Sequence, residues 1–148
     1  MSTAATASAP ATHGLRVQVF GADAEPLPAD ALARLFPHVP PRSPRFERLA
    51  RSARIVVSHA SSIVGFAIYQ RVDGDLRVPD LTLLESPGHG VRDVLGALLD
   101  ALEATCLAGG SRRIVLPPTA RAHGLLRRRG YELMSEGCGA AWMEKTFR

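Results

Sequence analysis

Apolar and polar residues alternate from Leu15 to Phe20, the period of a half-buried strand. Residues 28–36 then read as a short helix, with Pro28 near the first turn and Leu32, Leu35 and Phe36 on one side. Pro37, Pro40, Pro41 and Pro44 interrupt it. A second helix follows to about Arg54 and buries Phe46, Leu49, Ala50 and Ala53, spaced i, i+3, i+4, i+7. Arg54 to Ser58 is a strand, and Ile63 to Val72 is another, with Val64, Phe66 and Ile68 on one face. Asp73-Gly74 between two β-like runs predicts a hairpin. In the returning strand, Leu76 to Leu84, Pro79 cannot donate to a ladder, so a bulge or unpaired stretch is expected there.

After a loop at Ser86 to Gly90, residues 91 to about 108 carry one helical stripe of Val91, Val94, Leu95, Leu98, Leu102 and Cys106. Gly109-Gly110 supplies its stop. Arg113 to Leu116 is a short apolar strand. Thr119 is placed to cap a last helix to Arg129, with Gly130 just past its end. Strands near residues 131–134 and 141–147 close the chain. The order predicts a mixed α/β domain over residues 15–148, with one strand–helix–strand unit starting near residue 76.

Composition adds limits. At 148 residues and 46% apolar content, the chain can build one ordinary core. Every apolar run is cut by a charge, Gly or Pro before 18 residues, so no membrane partner is expected. Residues 1–14 hold no Lys or Arg, which argues against a secretory signal or a mitochondrial presequence. They are expected to form a disordered leader. Cys106 and Cys138 give neither a disulfide framework nor a metal spacing, and no metal is expected; a reducing, cytoplasmic compartment is the default. The net charge of +4 comes from arginines scattered along the sequence, with Lys145 the one lysine. Arg42, Arg45, Arg48, Arg51 and Arg54 recur every third residue, a step that drifts by about 60° on a helix, so they spiral into solvent rather than face one ligand. Nucleic acid is a low-ranked partner, because interleaved aromatics and a concentrated basic face are missing.

The chemistry concentrates between Leu81 and Leu102. Gly88, His89 and Gly90 lead into a helix whose first amides have no internal partners, a physical anion site that Asp93 works against. No Gly-Lys-Ser/Thr sequence supports a Walker loop, and Gly88-x-Gly90-x-x-Asp93 lacks the third glycine of a dinucleotide fingerprint.

Three stretches resemble the Gcn5-related N-acetyltransferases. They are Val91-Arg-Asp-Val-Leu-Gly96 running into Ala97 to Leu102; Gly109 to Leu116 followed by Ala122 to Gly130-Tyr131; and Trp142 to Phe147. The resemblance covers roughly residues 54–147 and implies a central mixed sheet flanked by about four helices. It also implies acetyl-CoA as acyl donor and a small-molecule or peptide amine as acceptor, entering from the side of the first two helices. Cofactor contacts would fall to Leu83 at the end of the family's fourth strand and to Val91, Arg92, Asp93, Val94, Leu95 and Gly96. Glu85, the carboxylate nearest that strand's end, is the candidate base, weighed against an ordinary solvated loop residue. His89 and His123 are weaker candidates for proton transfer.

The sequence departs from the family at Val91 and Val94, where its loop carries Gln or Arg and Gly, and at Leu126, where many members place a tyrosine that acts as general acid. Two readings therefore stand side by side: an N-acyltransferase working by direct transfer and positioning, and a degenerate member serving as a regulatory or partner-binding domain. An edge strand near the C-terminus leaves a homodimer open.

Overall fold

The computed structural model describes residues 5–8, 14–84, 90–119, 122–137 and 139–148. Among these, eight strands form one mixed sheet: β1 (Ala5–Ser8), β2 (Arg16–Phe20), β3 (Arg54–His59), β4 (Ser62–Val72), β5 (Asp75–Leu83), β6 (Arg113–Leu116), β7 (Glu132–Ser135) and β8 (Ala141–Thr146). Their order across the sheet is β1-β2-β3-β4-β5-β6-β8-β7. Two helices, α1 (Ala29–Leu35) and α2 (Pro44–Arg51), connect β2 to β3. α3 (Val91–Ala108) connects β5 to β6, and α4 (His123–Arg128) connects β6 to β7.

The expected fold class holds, with corrections at its edges. Within the stretch expected to be a disordered leader, Ala5–Ser8 pairs antiparallel with β2, Ala5 opposite Phe20. Backbone hydrogen bonding to a free strand edge needs no apolar side chain, which is why composition did not signal it. α2 ends at Arg51 rather than near Arg54, and Ala53 lies outside it. It begins as its sequence dictates: Pro44 occupies the first turn and the Ser43 hydroxyl accepts from the Phe46 amide at 3.2 Å. Arg45, Arg48 and Arg51 are exposed as expected, but Arg54 is 3% exposed. Its guanidinium donates to the carbonyls of Glu25 (2.6 Å), Ser52 (3.2 Å) and Ala50 (3.3 Å) and lies over the Phe20 ring. Burial lowers its pKa, and the arginine closes the end of α2 where a helix leaves carbonyls free. Thr119 does not cap α4: its hydroxyl points to the Pro117 carbonyl at 3.5 Å, and the cap position is Ala122.

The sheet separates two apolar layers. Leu32, Leu35, Phe46 and Leu49 of α1 and α2 pack on Val56, Phe66 and Ile68. The other face takes Val94, Leu95, Leu98, Leu102 and Cys106 of α3 with Leu126 of α4, against Ile55, Val57, Ala67, Leu76 and Ile114. Val64 belongs to this second layer and not with Phe66 and Ile68. An irregularity in the β3–β4 register, where Ser58 faces Ile63 but Val57 faces Gly65, turns it around. Gly65 faces α3 so closely that a β-carbon there would sit 2.6 Å from Val94 Cγ1 and 3.1 Å from Leu98 Cδ1.

Both glycine stops close as Schellman motifs. After α3 the Gly110 amide bonds Leu107 O and the Ser111 amide bonds Cys106 O; after α4 the Gly130 amide bonds Arg127 O and the Tyr131 amide bonds Leu126 O. Gly110 (φ +79°) and Gly130 (φ +96°) take the left-handed position that each motif requires. Tyr131 is thereby carried into the core, where its hydroxyl donates to Glu103 Oε2 at 3.1 Å. Lys145 and Arg129 also approach Glu103, at 3.4 and 3.5 Å, tying α3, α4 and β8 together.

Two outcomes follow from this packing. Gly65→Ala costs about 1–3 kcal/mol in urea unfolding through overpacking, and adding Val94→Ala recovers a measurable part of that loss, because the two sites share one contact. Burial, then the Glu103 charge, push the Tyr131 hydroxyl well above its ordinary pKa. The folded state then keeps its proton where the unfolded chain loses it. That contribution is full below pH about 10 and falls as pH rises further. Thermal melts from pH 9 to 11.5 therefore show a decline that is shallower in Tyr131→Phe.

Candidate active site

The site is built where β5 and β6 part. They are parallel and register only as Asp75↔Arg113, Leu76↔Ile114 and Arg77↔Val115. The root of the pair is clamped by a two-pronged ion pair, Arg113 Nε to Asp75 Oδ1 at 3.0 Å and Nη2 to Oδ2 at 2.6 Å. This contact holds the Arg113 pKa above its usual value. Beyond Arg77, β5 follows β4 alone.

The expected bulge lies at that point. On β4 one residue, Tyr69, separates Ile68 from Gln70, while their partners Asp80 and Arg77 are separated by Val78 and Pro79. An extra residue bends a strand, and Pro79 offers no amide that would hold it to a neighbour. Past the bulge, the Leu84 amide bonds Val64 O at 2.8 Å. Ladder bonds alternate along an antiparallel pair, so Phe66↔Thr82 and Ile68↔Asp80 share that hydrogen-bonded parity. The main-chain groups of Leu81 and Leu83 consequently face away from β4, toward the side that β6 has left.

α3 begins beside the same strand end. Val94 packs on Gly65, and Gly65 is the register partner of Leu83. The first turn of the helix therefore lies at the level of Leu83. The Asp93 and Val94 amides bond the Gly90 carbonyl at 3.2 and 3.4 Å, whereas the Val91 and Arg92 amides have no acceptor among the described residues. Arg92 and Asp93 are exposed, Val91 and Gly96 are half-buried, and Leu95 is in the core. A β-carbon at Gly96 would meet open space. The structure thus brings Leu83 and residues 91–96 to one place but points them differently. Val94 and Leu95 turn their side chains inward, so they could offer only main chain to a ligand, while Arg92 is free to reach one.

Gly65 is the partner that sequence reasoning missed. It accommodates the valine that stands where the family loop has glycine, and its signal was an isolated glycine inside an apolar strand. Glu85, Gly88 and His89 lie outside the described residues, as does Cys138. Leu126 is fully buried in the α3–α4 core. His123 is half-buried at the start of α4. Among the described residues no group of His, Cys, Asp and Glu is arranged to hold a metal, and no helix is long and apolar enough to cross a membrane.

A further cleft, of about 220 Å³, lies on the α1 side of the sheet, lined by Asp30, Arg34 and Leu35 of α1, by Ser61 and Ile63, and by Leu84 at the end of β5.

No family model and no curated protein matches the sequence. Solved structures do match in three dimensions. An acetyltransferase of the GNAT family from Staphylococcus aureus Mu50 aligns with a TM-score of 0.66 at 13% identity, over 89% of this chain and 99% of that one. The ribosomal-protein-S18-alanine N-acetyltransferase of Escherichia coli aligns at 0.59 and 17% identity, over 82% and 91%. The PaiA N-acetyltransferase of Thermoplasma acidophilum, in complex with coenzyme A, aligns at 0.54 and 15% identity; the match covers 64% of this chain and 60% of that one. Parted parallel strands, a bulge at the parting and a helix starting at the open end are thus set in the Gcn5-related N-acetyltransferase fold.

Proposed function

We propose that this chain is an acyl-CoA-dependent N-acyltransferase that uses acetyl-CoA and passes the acetyl group directly to a small-molecule or peptide amine. The observation that carries it is the strand edge at Leu81 and Leu83, left by the divergence of β5 from β6 and lying beside the start of α3, where the Val91 and Arg92 amides have no acceptor among the described residues. An extended amide-bearing arm pairs with such an edge as an added strand would, and a pyrophosphate suits free helix amides. Leu83 and the main chain of residues 91–96 hold the cofactor in this reading, with Arg92 supplying charge. Coenzyme A in the Thermoplasma neighbour supports it.

The chemistry asks little of side chains. The amine nitrogen attacks the thioester carbonyl, the N–C bond forms, the C–S bond breaks and the thiolate departs. Main-chain donors along β5 stabilise the oxyanion, and Pro79 supplies none, so Leu81 is the first free amide beyond the bulge. Leu126 cannot protonate the sulfur, but a thiolate with a pKa of about 8–9 leaves without a dedicated acid. Glu85, next in sequence after Leu84, is the candidate base. Leu126 is also what favours the second reading, a domain that binds CoA without turning it over.

Isothermal titration with acetyl-CoA tests the cofactor. Micromolar affinity is expected, and Leu83→Pro, which removes an amide not used by β4, weakens it at least tenfold, about 1.4 kcal/mol. No heat and no melting shift at millimolar acetyl-CoA sinks the proposal. Thiol release with an amine panel separates the two readings: turnover reduced at least tenfold in Glu85→Gln supports the enzyme, and binding without release on any amine leaves the scaffold.

A further inference from the structure

We infer that Val94 is a spacer and Gly65 its socket, and that this pair sets the separation between the two parts of the donor site, the α3 amides and the β5 edge. Gly65 is thus a positioning residue that acts on the acyl donor through Val94. The inference rests on the transferase reading, which supplies the donor.

Gly65 stands at a crossing. Within the sheet it is flanked by Val57 of β3 and Leu83 of β5. On the α3 side it meets Val94 and Leu98, one turn apart and both buried. A β-carbon at 65 would lie 2.6 Å from Val94 Cγ1, 3.1 Å from Leu98 Cδ1 and 3.5 Å from Val57 Cβ. Carbon atoms rest at about 3.5–4.0 Å, so the glycine lets the start of α3 approach β4 by roughly 1 Å more than a side chain would.

The contact is stiff on both sides. Val94 is β-branched and in a helix keeps essentially one side-chain rotamer, so it cannot swing away as a longer unbranched residue could. Gly65 is held by register pairs with both neighbouring strands. Whatever separation the two residues impose therefore passes to the backbone of α3. The Val94 amide bonds the Gly90 carbonyl at 3.4 Å, so the residue in the socket carries the end of the preceding loop with it. One turn before Val94 come the Val91 and Arg92 amides, which have no acceptor among the described residues. One strand across from Gly65 is Leu83, on the edge assigned to the extended arm of the donor. A single contact thus relates the amides that take the pyrophosphate to the edge that takes the arm. Amide hydrogen bonds span about 2.7–3.2 Å, so displacing the first turn by about 1 Å breaks them and leaves the β5 edge in place. The bulk that the helix gains at Val94 is given back on the strand at Gly65.

The test is the affinity for acetyl-CoA and for S-acetylpantetheine, which has the same arm and thioester without the pyrophosphate. Both are measured where melting curves show each variant folded. In Gly65→Ala, acetyl-CoA is expected to lose at least tenfold more affinity than S-acetylpantetheine. Adding Val94→Ala is expected to return the ratio to within about threefold of the unaltered chain, since the two sites are coupled. A protein that is merely destabilised loses both donors together. If Gly65→Ala does not fold, Val94→Ala alone carries the test, with the ratio falling at least threefold. Equal loss of both donors, an unchanged ratio, or no recovery in the double variant overturns the inference and leaves the transferase reading in place. If the unaltered chain binds no acetyl-CoA, the transferase reading fails on its own. Backbone amide NMR shifts read the spacer without any donor. Changes in Gly65→Ala that concentrate at residues 91–95 and are reversed by Val94→Ala support it. Changes spread evenly along α3, or confined to β3 and β4, overturn it.

Discussion

Everything distinctive in this molecule depends on how briefly β5 and β6 are joined. Three register pairs, locked at one end by the Asp75–Arg113 ion pair, hold two parallel strands together. The bulge at Val78–Pro79 then directs one of them away. A parallel pair in the middle of a sheet normally continues until both strands run out, since each unmade backbone bond in an interior costs free energy. Here, among the described residues, β5 beyond Arg77 has a strand neighbour on its β4 side alone. The clamp makes the opening directional, closed at Asp75 and open at Leu83.

The opposite end of α3 is built for rigidity. Glu103 gathers Tyr131, Lys145 and Arg129, and a Schellman turn fixes each helix terminus there. Arg71 adds a further tie, donating to Thr105 O at 2.9 Å and to the Ser111 hydroxyl at 3.1 Å across the end of α3. The helix is therefore anchored by side chains at its C-terminal end and seated by the Val94–Gly65 contact at its N-terminal end. Its Val91 and Arg92 amides find no acceptor among the described residues while their position is fixed.

Most of the architecture was legible because it rests on local rules. Asp73-Gly74 marked its hairpin, Pro79 its bulge, and Gly109-Gly110 and Gly130 their helix ends, each through a conformation that few other residues adopt. What escaped was non-local. Arg54 read as part of a solvated series because its three carbonyl partners lie on chain segments that only the fold assembles. Val94 read only as a departure from the family loop because its match, Gly65, is far off in sequence. Val64 changed layers through a register slip with no signature of its own. Thr119 had the right chemistry for a cap, but its hydroxyl is turned to Pro117. Leu83 and residues 91–96 became candidates through resemblance, and the fold brings them to one place.

Lys145 has a consequence for how this protein behaves toward reactive acyl compounds. It is the chain's only lysine, and its ammonium is held against Glu103 and lies near the rings of Tyr131 and Phe147. Ion-paired and partly covered, that amine is a poor nucleophile, and guanidinium groups do not compete for acyl esters at neutral pH. Apart from any free α-amino group, the molecule is nearly inert to amine-directed acylation, whether by a labelling reagent or by a thioester. Acetyl groups lost from a donor in its presence would end up on an acceptor or in water, with little background on the protein itself.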